Sequence, residues 1–569
     1  MISKELLKRM IDAGAGRTPA DLVVRNVGML DVVSGAVTTT DIAVVGDRIV
    51  GTHGAYQGEQ VVDGSGRFAV PGFIDTHLHI ESSLVTPLEF DRCVLPHGVT
   101  TALCDPHEIA NVLGGEGIRY FLDCAEQAVM DIRVNLSSCV PATAFETSGA
   151  SLPIGDLLAF RGHAKVLGLA EFMNFPGVVG ADPDVLDKLL AFQDGHIDGH
   201  APLLSGLALN AYLAAGIRTD HEATSAAEAR EKLAKGMAIL IREGSVSKDL
   251  DALAEILDEN TSSHVALCTD DRNPLDIREE GHLDALVRRL VAHGRPLHHV
   301  YRAASYSAAR IFGLRDRGLL GPGWRADIVL VDDLAACRVS DVIAAGRLVV
   351  PELFAARQPV APVGLSSVKA KLQTAATFAH PAKPGRNETP VIGVKPGLIL
   401  TFRDSAALPT AAGHLLPDLQ ADVVKVAVVE RHGKNGNIGH GFVRGFGLKA
   451  GAIASSVGHD SHNITVVGAS DADMAVAVNR LIALRGGFAV ARDGEVLAEL
   501  ALPLAGLMSL ESFETVAERL ERLRAAAKSL GCTLPEPFLQ VAFLALPVIP
   551  HLKMTDRGLF DVDEFAFVD

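Results

Sequence analysis

The stretch FIDTHLHIESS, residues 73–83, carries two histidines, His77 and His79, two positions apart in an otherwise apolar run. Alternate residues of a β-strand point to the same side, so a strand here presents both imidazoles at one place. Imidazole is a good ligand for divalent transition metals. The stretch therefore predicts the end of a buried strand that carries two metal ligands.

Short apolar runs of the same kind recur between residues 72 and 312. The eight runs are GFIDTHLH (72–79), GVTTALCDPH (98–107), RVNLSSCVP (133–141), KVLGLAEFMN (165–174), HIDGHAP (196–202), GIRTDHEAT (216–224), MAILIREGS (237–245) and HVALCTDD (264–271). Helical patterns lie between most of them. Eight strands alternating with helices over about 250 residues predict a (β/α)₈ barrel of the TIM type. An open doubly wound sheet is the structural alternative.

Short β-rich pieces separated by Gly and Asp turns lie on both sides of the barrel segment, in residues 21–70 and 324–350. They predict one small β-sandwich that is split by the insertion of the barrel. The predicted boundaries are 1–71 plus 313–360 for the sandwich with an N-terminal helix, 72–312 for the barrel and 361–569 for a C-terminal α/β domain. The Pro-rich passage 381–396 is interpreted as a linker or surface loop.

Composition narrows the class of protein. The chain is 48% hydrophobic and 21% charged, as expected of a folded soluble protein, and its formal charge of −17 argues against a nucleic-acid partner. The seven cysteines include no CxxC pair and are odd in number, which indicates a reducing compartment rather than a disulfide framework. We find no signal peptide and no bilayer-spanning run, so we expect a cytoplasmic protein with a small-molecule substrate.

Polar residues follow the predicted strands at the end where such barrels place their catalytic groups. They include His77, His79, Glu171, His200, His221, Glu222, Asp270 and Asp271. Four histidines and two carboxylates from this set predict a site for two divalent ions. In this model one ion is bound by His77, His79 and Asp270, the other by His200 and His221, and both by Glu171. Nitrogen and oxygen ligands of this kind allow Zn, Mn or Fe.

Two metal ions that share one water lower its pKa towards neutrality and supply a hydroxide. Asp270 can accept the proton of that hydroxide as it attacks and then return the proton to the leaving group. The site therefore predicts hydrolysis at an electrophilic carbon, either carbonyl-like or amidine-like, with an amine as leaving group.

This pattern resembles the amidohydrolase superfamily, which combines HxH on strand one, histidines on strands five and six, an aspartate on strand eight and a split β-sandwich. Many members bridge their metals with a carbamylated lysine on strand four. Here Lys165 lies near the start of strand four and Glu171 near its end. We therefore expect Glu171, rather than Lys165, to bridge the two metals.

Two longer stretches resemble the bacterial adenine deaminases: HLHIESS with HGVTTALCDPHEIANVLG (97–114), and residues 430–468, which contain GHDSHN. Gly458 stands where that family usually has alanine, and the resemblance otherwise extends from about residue 20 to the end. It implies that hydroxide attacks C6 of adenine to give hypoxanthine and ammonia, in purine salvage. It also implies two divalent ions, Mn or Fe before Zn, and a homo-oligomer, for which we expect a dimer.

The resemblance also implies substrate contacts at the barrel mouth. Glu81, Ser82 and Ser83 follow the HxH, and His107 and Glu108 end strand two. Carboxylates and hydroxyls can pair with the edges of a purine. Glu222 either protonates or orients a ring nitrogen, as a catalytic group, or supports its neighbour His221. His459 and His462 either line the entrance from the C-terminal domain or are ordinary core or surface histidines.

Two other functions share parts of this pattern. One is a different binuclear amidohydrolase, such as a cyclic-amide hydrolase or an N-acetyl-sugar deacetylase. The other is a metal or purine binder without catalysis. Glu171 in place of a lysine, together with the DPHEIAN and GHDSHN stretches, favours the adenine deaminases over the first, and Asp270 beside a full ligand set argues against the second.

Overall fold

The computed structural model describes residues 2–382 and 388–568. The chain opens with an amphipathic helix, α1 (Lys4–Gly14), which begins where the Ser3 side chain accepts a hydrogen bond from Leu6 N at 3.1 Å. Five strands follow: β1 (Ala20–Leu30), β2 (Val37–Val45), β3 (Arg48–Gly51), β4 (Gly58–Asp63) and β5 (Phe68–Pro71). These strands form the first part of a mixed sheet.

Eight parallel strands lie between residues 73 and 268, a stretch that the structure describes without gaps. They are β6 (Phe73–Leu78), β7 (Val99–Cys104), β8 (Asp131–Leu136), β9 (Val166–Phe172), β10 (His196–Gly199), β11 (Thr219–Asp220), β12 (Ala238–Arg242) and β13 (Val265–Cys268). Strands β6–β10 pair in sequence order, as do β11–β13. The two sets close on each other, since Asp270 N donates to His77 O at 3.0 Å and Arg218 N to Ile197 O at 3.3 Å. The predicted (β/α)₈ barrel is confirmed.

Helices connect these strands and cover the barrel, so the strands are mostly buried on both faces. They are α2 (Pro87–Val94), α3 (His107–Leu113), α4 (Gly115–Gln127), α5 (Ile154–Leu158), α6 (Phe175–Val179), α7 (Pro183–Phe192), α8 (Gly206–Ala214), α9 (Ala226–Ala234), α10 (Leu250–Leu253), α11 (Pro274–Glu280), α12 (Leu283–Ala292), α13 (Leu297–Arg302) and α14 (Ala308–Ile311). Several begin at a sequence signal; α2, for example, starts with Pro87 after Thr86, whose side chain accepts from Glu89 N.

The segments on both sides of the barrel share one sheet. After the barrel come β14 (Ile328–Val331), β15 (Val339–Ala344), β16 (Arg347–Leu348) and α15 (Pro351–Ala355). Strand β14 pairs antiparallel with β5, which gives the order β16-β15-β14-β5-β1-β2-β3. Strand β4, which is not on this path, also pairs with β1. Because β5 ends two residues before β6 begins, this sheet holds the first barrel strand in place.

The C-terminal segment is also α/β. Its strands are β17 (His380–Pro381), β18 (Thr389–Gly393), β19 (Phe402–Ala406), β20 (Thr410–Ala411), β21 (His414–Leu415), β22 (Val423–Val429), β23 (Ile438–Arg444), β24 (Ala452–Ser455), β25 (Ile464–Gly468), β26 (Gly487–Arg492), β27 (Glu495–Ala501), β28 (Leu552–Thr555), β29 (Gly558–Asp561) and β30 (Ala566–Phe567), and its helices are α16 (Asp471–Leu484), α17 (Phe513–Ser529) and α18 (Pro537–Phe543). The main sheet has the order β19-β18-β23-β22-β25-β24-β26-β27. Part of the passage interpreted as a linker is therefore strand β18, while residues 383–387 of that passage lie outside the described residues.

The two faces of this sheet have different neighbours, as the alternation of a strand requires. Val424, Val426 and Val428 of β22 belong to the large apolar core that includes the barrel. Ala427 and Val429 of the same strand pack instead with helix α16. The C-terminal sheet is thus joined to the barrel by a continuous core, which allows its loops to reach the barrel mouth. Among the described helices, none combines the length and the apolar character that a membrane crossing needs.

Candidate active site

The structure brings the predicted metal ligands together at the carboxyl ends of the barrel strands. All of them are buried: His77, His79, Glu171, His200, His221 and Asp270. They come from the ends of β6, β9, β10, β11 and β13 or from the residues directly after these strands. Strand ends that lie far apart in the sequence meet here because the parallel strands of a closed barrel all finish at the same rim.

The first group of ligand atoms surrounds Asp270. Its Oδ1 lies 3.2 Å from His79 Nε2 and 3.7 Å from His77 Nε2. Glu171 Oε1 lies 3.4 Å from His79 Nε2 and 4.0 Å from His77 Nε2. Ligand atoms that each lie about 2.0–2.2 Å from one ion are separated from each other by distances similar to those between these atoms. His77, His79 and Asp270 therefore fit a single divalent ion, with Glu171 adjoining the two histidines.

The second group surrounds the other oxygen of Glu171. Glu171 Oε2 lies 2.7 Å from His200 Nδ1 and 3.3 Å from His221 Nε2. Glu222 Oε1 lies 3.5 Å from His221 Nε2 and 3.8 Å from His200 Nδ1, so Glu222 also adjoins this group. The two oxygens of Glu171 thus face different groups of histidines, which is the arrangement that a bridging carboxylate needs.

The ring nitrogens of His77 and His79 are held as in metal-binding histidines. His77 Nδ1 lies 2.9 Å from Asp198 Oδ2, while Nε2 has no hydrogen-bond partner among the described residues. His79 Nδ1 lies 3.0 Å from the carbonyl oxygen of Asp105. Metal-ligating histidines usually donate their other N–H to such a partner, which fixes the ring. The donor set therefore fits divalent ions that accept nitrogen and oxygen ligands.

Both ligand carboxylates are ionised by their surroundings. Burial acts to raise the pKa of Glu171, but His200, His221 and His79 hold it well below its ordinary value. Burial likewise acts to raise the pKa of Asp270, which His79 and Arg242 hold well below its ordinary value. Two negative carboxylates beside neutral imidazoles form a site that attracts cations.

Lys165 lies away from this cluster. It precedes β9, at the strand's entry end, and its Nζ lies 2.8 Å from Asp131 Oδ1. Glu171, near the other end of the same strand, is the residue that reaches the histidines. The geometry therefore supports the carboxylate, and not the lysine, at the bridging position.

The predicted substrate residues after the HxH point in different directions. Ser82 Oγ donates to Asp271 Oδ1, but Ser83 Oγ turns back to the carbonyl oxygen of Ile80 at 2.6 Å. Glu81 Oε1 accepts from Ile109 N at 3.1 Å, and burial together with the nearby Glu108 raises the pKa of Glu81 to about 8. These three residues are buried and do not line the cavity that lies between the barrel and the C-terminal domain.

His107 and Glu108 meet the C-terminal domain. His107 Nδ1 lies 2.9 Å from Asp105 Oδ2, and Glu108 contacts both His459 and His462. Both of these histidines are buried at the boundary between the barrel and the C-terminal domain. Burial acts to lower the pKa of His459, but Glu108 and Asp271 raise it to about 9. The structure supports a place at the mouth for His459, which lines the cavity there, whereas His462 is fully buried against Glu108 and does not line it.

A small cavity lies between the ligand cluster and the C-terminal domain. The barrel contributes five of the predicted ligands, with Glu222 and Arg242, to its lining. The C-terminal domain contributes Ile399, His459, Asp460, Phe543, Leu546 and Ile549. A mostly apolar cover over a charged floor is typical of a site for a small, flat, polar molecule.

Comparison with known proteins identifies the family. Residues 68–349 match the model of the amidohydrolase family, and residues 398–566 match that of the adenine deaminase C-terminal domain. The chain is 64% identical over 562 residues to adenine deaminase 1 of Agrobacterium fabrum, covering 99% of this chain and 97% of that protein. It is also 64% identical over 563 residues to adenine deaminase of Brucella abortus, with the same coverage of 99% and 97%.

The chain belongs to the adenine deaminase family. This confirms the resemblance noted from the sequence and does not favour a cyclic-amide hydrolase or an N-acetyl-sugar deacetylase. Among solved structures, a β-aspartyl dipeptidase from Fervidobacterium islandicum matches with a TM-score of 0.44 at 15% identity, covering 60% of this chain and 99% of that chain.

Arg242 is a residue of the site that sequence reasoning missed. It ends β12, is buried, contacts Glu222 and lies 3.0 Å from Asp270 Oδ2 and 2.9 Å from Asp249 Oδ2. Its position at the end of the seventh apolar run was the signal that could have found it. Asp198 was also missed; it lies in strand β10 of the fifth run and holds His77.

Proposed function

We propose that this protein is a metal-dependent adenine deaminase that hydrolyses adenine to hypoxanthine and ammonia in purine salvage. The observation that carries the proposal is the near full-length identity of 64% to proteins named adenine deaminase. The cluster of buried histidines and carboxylates beside a cavity supports it, because this chemistry needs both a cation site and a pocket for a base.

In the proposed site, His77, His79 and Asp270 would hold one divalent ion and His200 and His221 the other, with Glu171 shared. Mn or Fe is the metal that we expect, and Zn suits the same donors. When bound, such ions lower the pKa of a water molecule and so supply the hydrolytic nucleophile at neutral pH.

Asp270 acts as the general base and proton shuttle. Its two oxygens have different partners, since Oδ1 faces His79 and Oδ2 lies 3.0 Å from Arg242 Nη1. A carboxylate held ionised in this way accepts the proton of the attacking water. It then returns that proton to the departing amine, so that ammonia leaves and hypoxanthine remains.

Glu222 is the group that we assign to the purine ring. It lines the cavity beside Asp270 and is bound by Arg242. Burial acts to raise its pKa, and Arg242, His200 and His221 lower it overall. From this position Glu222 would exchange a proton with a ring nitrogen while Arg242 keeps its carboxylate in place.

The other predicted substrate residues take two kinds of position in the proposed site. We assign His107 and Glu108 to the edge of the pocket that meets the C-terminal domain, and Glu81, Ser82 and Ser83 to the wall behind it. We further propose a cytoplasmic enzyme, in keeping with seven free cysteines, that works as a homo-oligomer, with a dimer as the expected state.

The test is a turnover assay with the purified, full-length protein loaded with Mn²⁺ or Fe²⁺. We expect adenine to be converted to hypoxanthine with one ammonia released per adenine. A panel that contains a cyclic amide and an N-acetylated sugar serves as the control for the other amidohydrolase chemistries. Absence of ammonia release from adenine with every divalent metal would contradict the proposal.

A further inference from the structure

The C-terminal domain places a carboxylate, Asp460, in the lining of the cavity. Asp460 is only 2% exposed, and its Oδ2 has no hydrogen-bond partner within the part of the chain that the structure describes. A buried acceptor without a partner destabilises the folded protein, because it loses its hydrogen bonds to water and forms none within the protein. Because Asp460 belongs to the lining of the substrate cavity, its unpaired oxygen indicates that a donor on the ligand completes it.

The other oxygen of Asp460 is held in place by the barrel. Oδ1 lies 3.5 Å from His107 Nε2 and 3.8 Å from His459 Nδ1. His107 in turn lies 3.4 Å from Glu171 Oε1 through its Nδ1. One imidazole ring therefore separates Asp460 from the ligand cluster, so Asp460 lies within the reach of a purine whose C6 faces that cluster.

The backbone around Asp460 is fixed on both sides. His459 N donates to Ala542 O at 3.1 Å, and Asn463 Nδ2 donates to Thr147 O at 2.9 Å. His432 Nε2 lies 2.8 Å from Ser461 O, and the ring of His459 stacks on Phe543 at a centroid distance of 4.6 Å. The loop 458–463 is thus tied to the C-terminal domain and to a barrel loop, which preorganises the carboxylate.

We propose that Asp460 accepts the N–H of the five-membered ring of the free purine base and thereby makes the enzyme reject N9-substituted purines. This inference rests on the proposed function. With C6 at the ligand cluster, the opposite end of the base carries the imidazole N–H, which a nucleoside or a 9-alkylpurine lacks. A site built to hydrogen-bond a substrate N–H discriminates strongly against the analogue without it, since the buried acceptor stays unpaired.

The apolar cover of the cavity adds a steric reason for the rejection of N9-substituted purines. Phe543, Leu546 and Ile549 close the C-terminal side of the cavity with apolar side chains and are themselves buried. A substituent on N9 would be directed into these side chains and towards Asp460. The C-terminal domain therefore acts as the element that selects the free base.

The experiment compares kcat/KM for adenine and for 9-methyladenine, the smallest analogue without the N–H, using the metal-loaded, full-length enzyme. For the wild type we expect adenine to be preferred by about 10³-fold or more. Comparable values for the two substrates would overturn the inference without any variant. No turnover of adenine at all would instead contradict the proposed function.

The variant Asp460→Ala should lower this preference by at least about tenfold, because the penalty for an unpaired acceptor disappears. Asp556→Asn is the matched control. Asp556 is buried at the same boundary and accepts from Thr147 N at 2.8 Å and from Thr147 Oγ1 at 2.7 Å, but it does not line the cavity. It should keep the wild-type preference. An Asp460→Ala enzyme that turns over adenine with the wild-type preference would refute the inference.

Discussion

The guanidinium of Arg242 donates to Oδ2 of Asp270 at 3.0 Å, which leaves Oδ1 of Asp270 facing His79. The same guanidinium contacts Glu222 and Asp249, so one buried cation holds two buried carboxylates and one partly buried carboxylate. Burial acts to lower the pKa of Arg242, but these three carboxylates raise it well above its ordinary value. Arg242 therefore fixes the proposed base and the proposed ring-binding group relative to each other.

Removal of Arg242 should be strongly destabilising. Arg242→Met leaves buried carboxylates without a counter-charge, which costs about 3–5 kcal/mol when one partner of a buried pair is lost. We expect a lower unfolding midpoint in urea and a lower kcat. The control is Arg492→Met, since Arg492 is 48% exposed and pairs with the exposed Asp493, a type of contact worth about 0–1 kcal/mol. Equal midpoints for the two variants would contradict this role of Arg242.

Metal analysis of variants can show whether Glu171 or Lys165 bridges the two metal ions. Glu171→Gln removes one of the two charged oxygens that face the two histidine groups, so we expect the bound metal to fall below two ions per chain and adenine turnover to be lost. Lys165→Met breaks a contact with Asp131 at the strand's entry end and should retain both ions. The measurement is elemental analysis of the dialysed proteins. Loss of metal from Lys165→Met, but not from Glu171→Gln, would reverse the assignment.

Metal removal should lower stability as well as activity. The ligand side chains are buried together, and ions that bind only the folded state stabilise it by about 2.7 kcal/mol at a concentration 100-fold above Kd. We therefore expect a chelated sample to be inactive and to melt at a lower temperature, with both properties restored by Mn²⁺. A melting temperature that does not respond to chelation or to Mn²⁺ would be inconsistent with a metal site here.

Lys553 makes the stability of the folded protein depend on pH in a way that does not involve the metal site. It is fully buried, donates to Phe543 O at 2.9 Å, and burial lowers its pKa from 10.5 to about 7. Between pH 7 and pH 10.5 the unfolded chain binds this proton and the folded chain does not, so the contribution of Lys553 to stability rises with pH in that range.

The variant Lys553→Met removes this titration. Compared with the wild type, it should gain most stability below pH 7, where the charged lysine is buried, and progressively less as the pH rises. Chemical denaturation at a series of pH values measures the difference. A difference that stays constant across this range would show that Lys553 has an ordinary pKa in the folded protein.

The barrel and the clustering of polar side chains at its rim could be predicted from the sequence because both depend on local patterns. Each apolar run predicts a strand, and the polar residue at its end predicts a group at the rim, as for Glu171 and Asp270. Contacts that depend on the packing of one domain on another could not be predicted from the sequence. Asp460 lies about 350 residues from His107 in the sequence, and no periodicity indicates that they meet.

Two smaller differences between the sequence-based predictions and the structure have local causes. Ser83 was expected to contact the substrate, but the tight turn Ile80–Ser83 directs its hydroxyl to the carbonyl of Ile80. The passage around β18 was interpreted as a linker because of its prolines. Pro390 nevertheless lies in an edge region of the sheet, where β18 pairs mainly with β19, and a proline is tolerated there.

The most direct test of the account is the variant Asp270→Asn, measured for adenine turnover and for bound metal in the same preparation. An amide keeps the size of the side chain and one oxygen towards His79 but cannot accept the proton. We expect both metal ions to remain and kcat to fall by about 10²–10⁴-fold. Turnover at the wild-type rate in a metal-loaded Asp270→Asn enzyme would contradict the central claim.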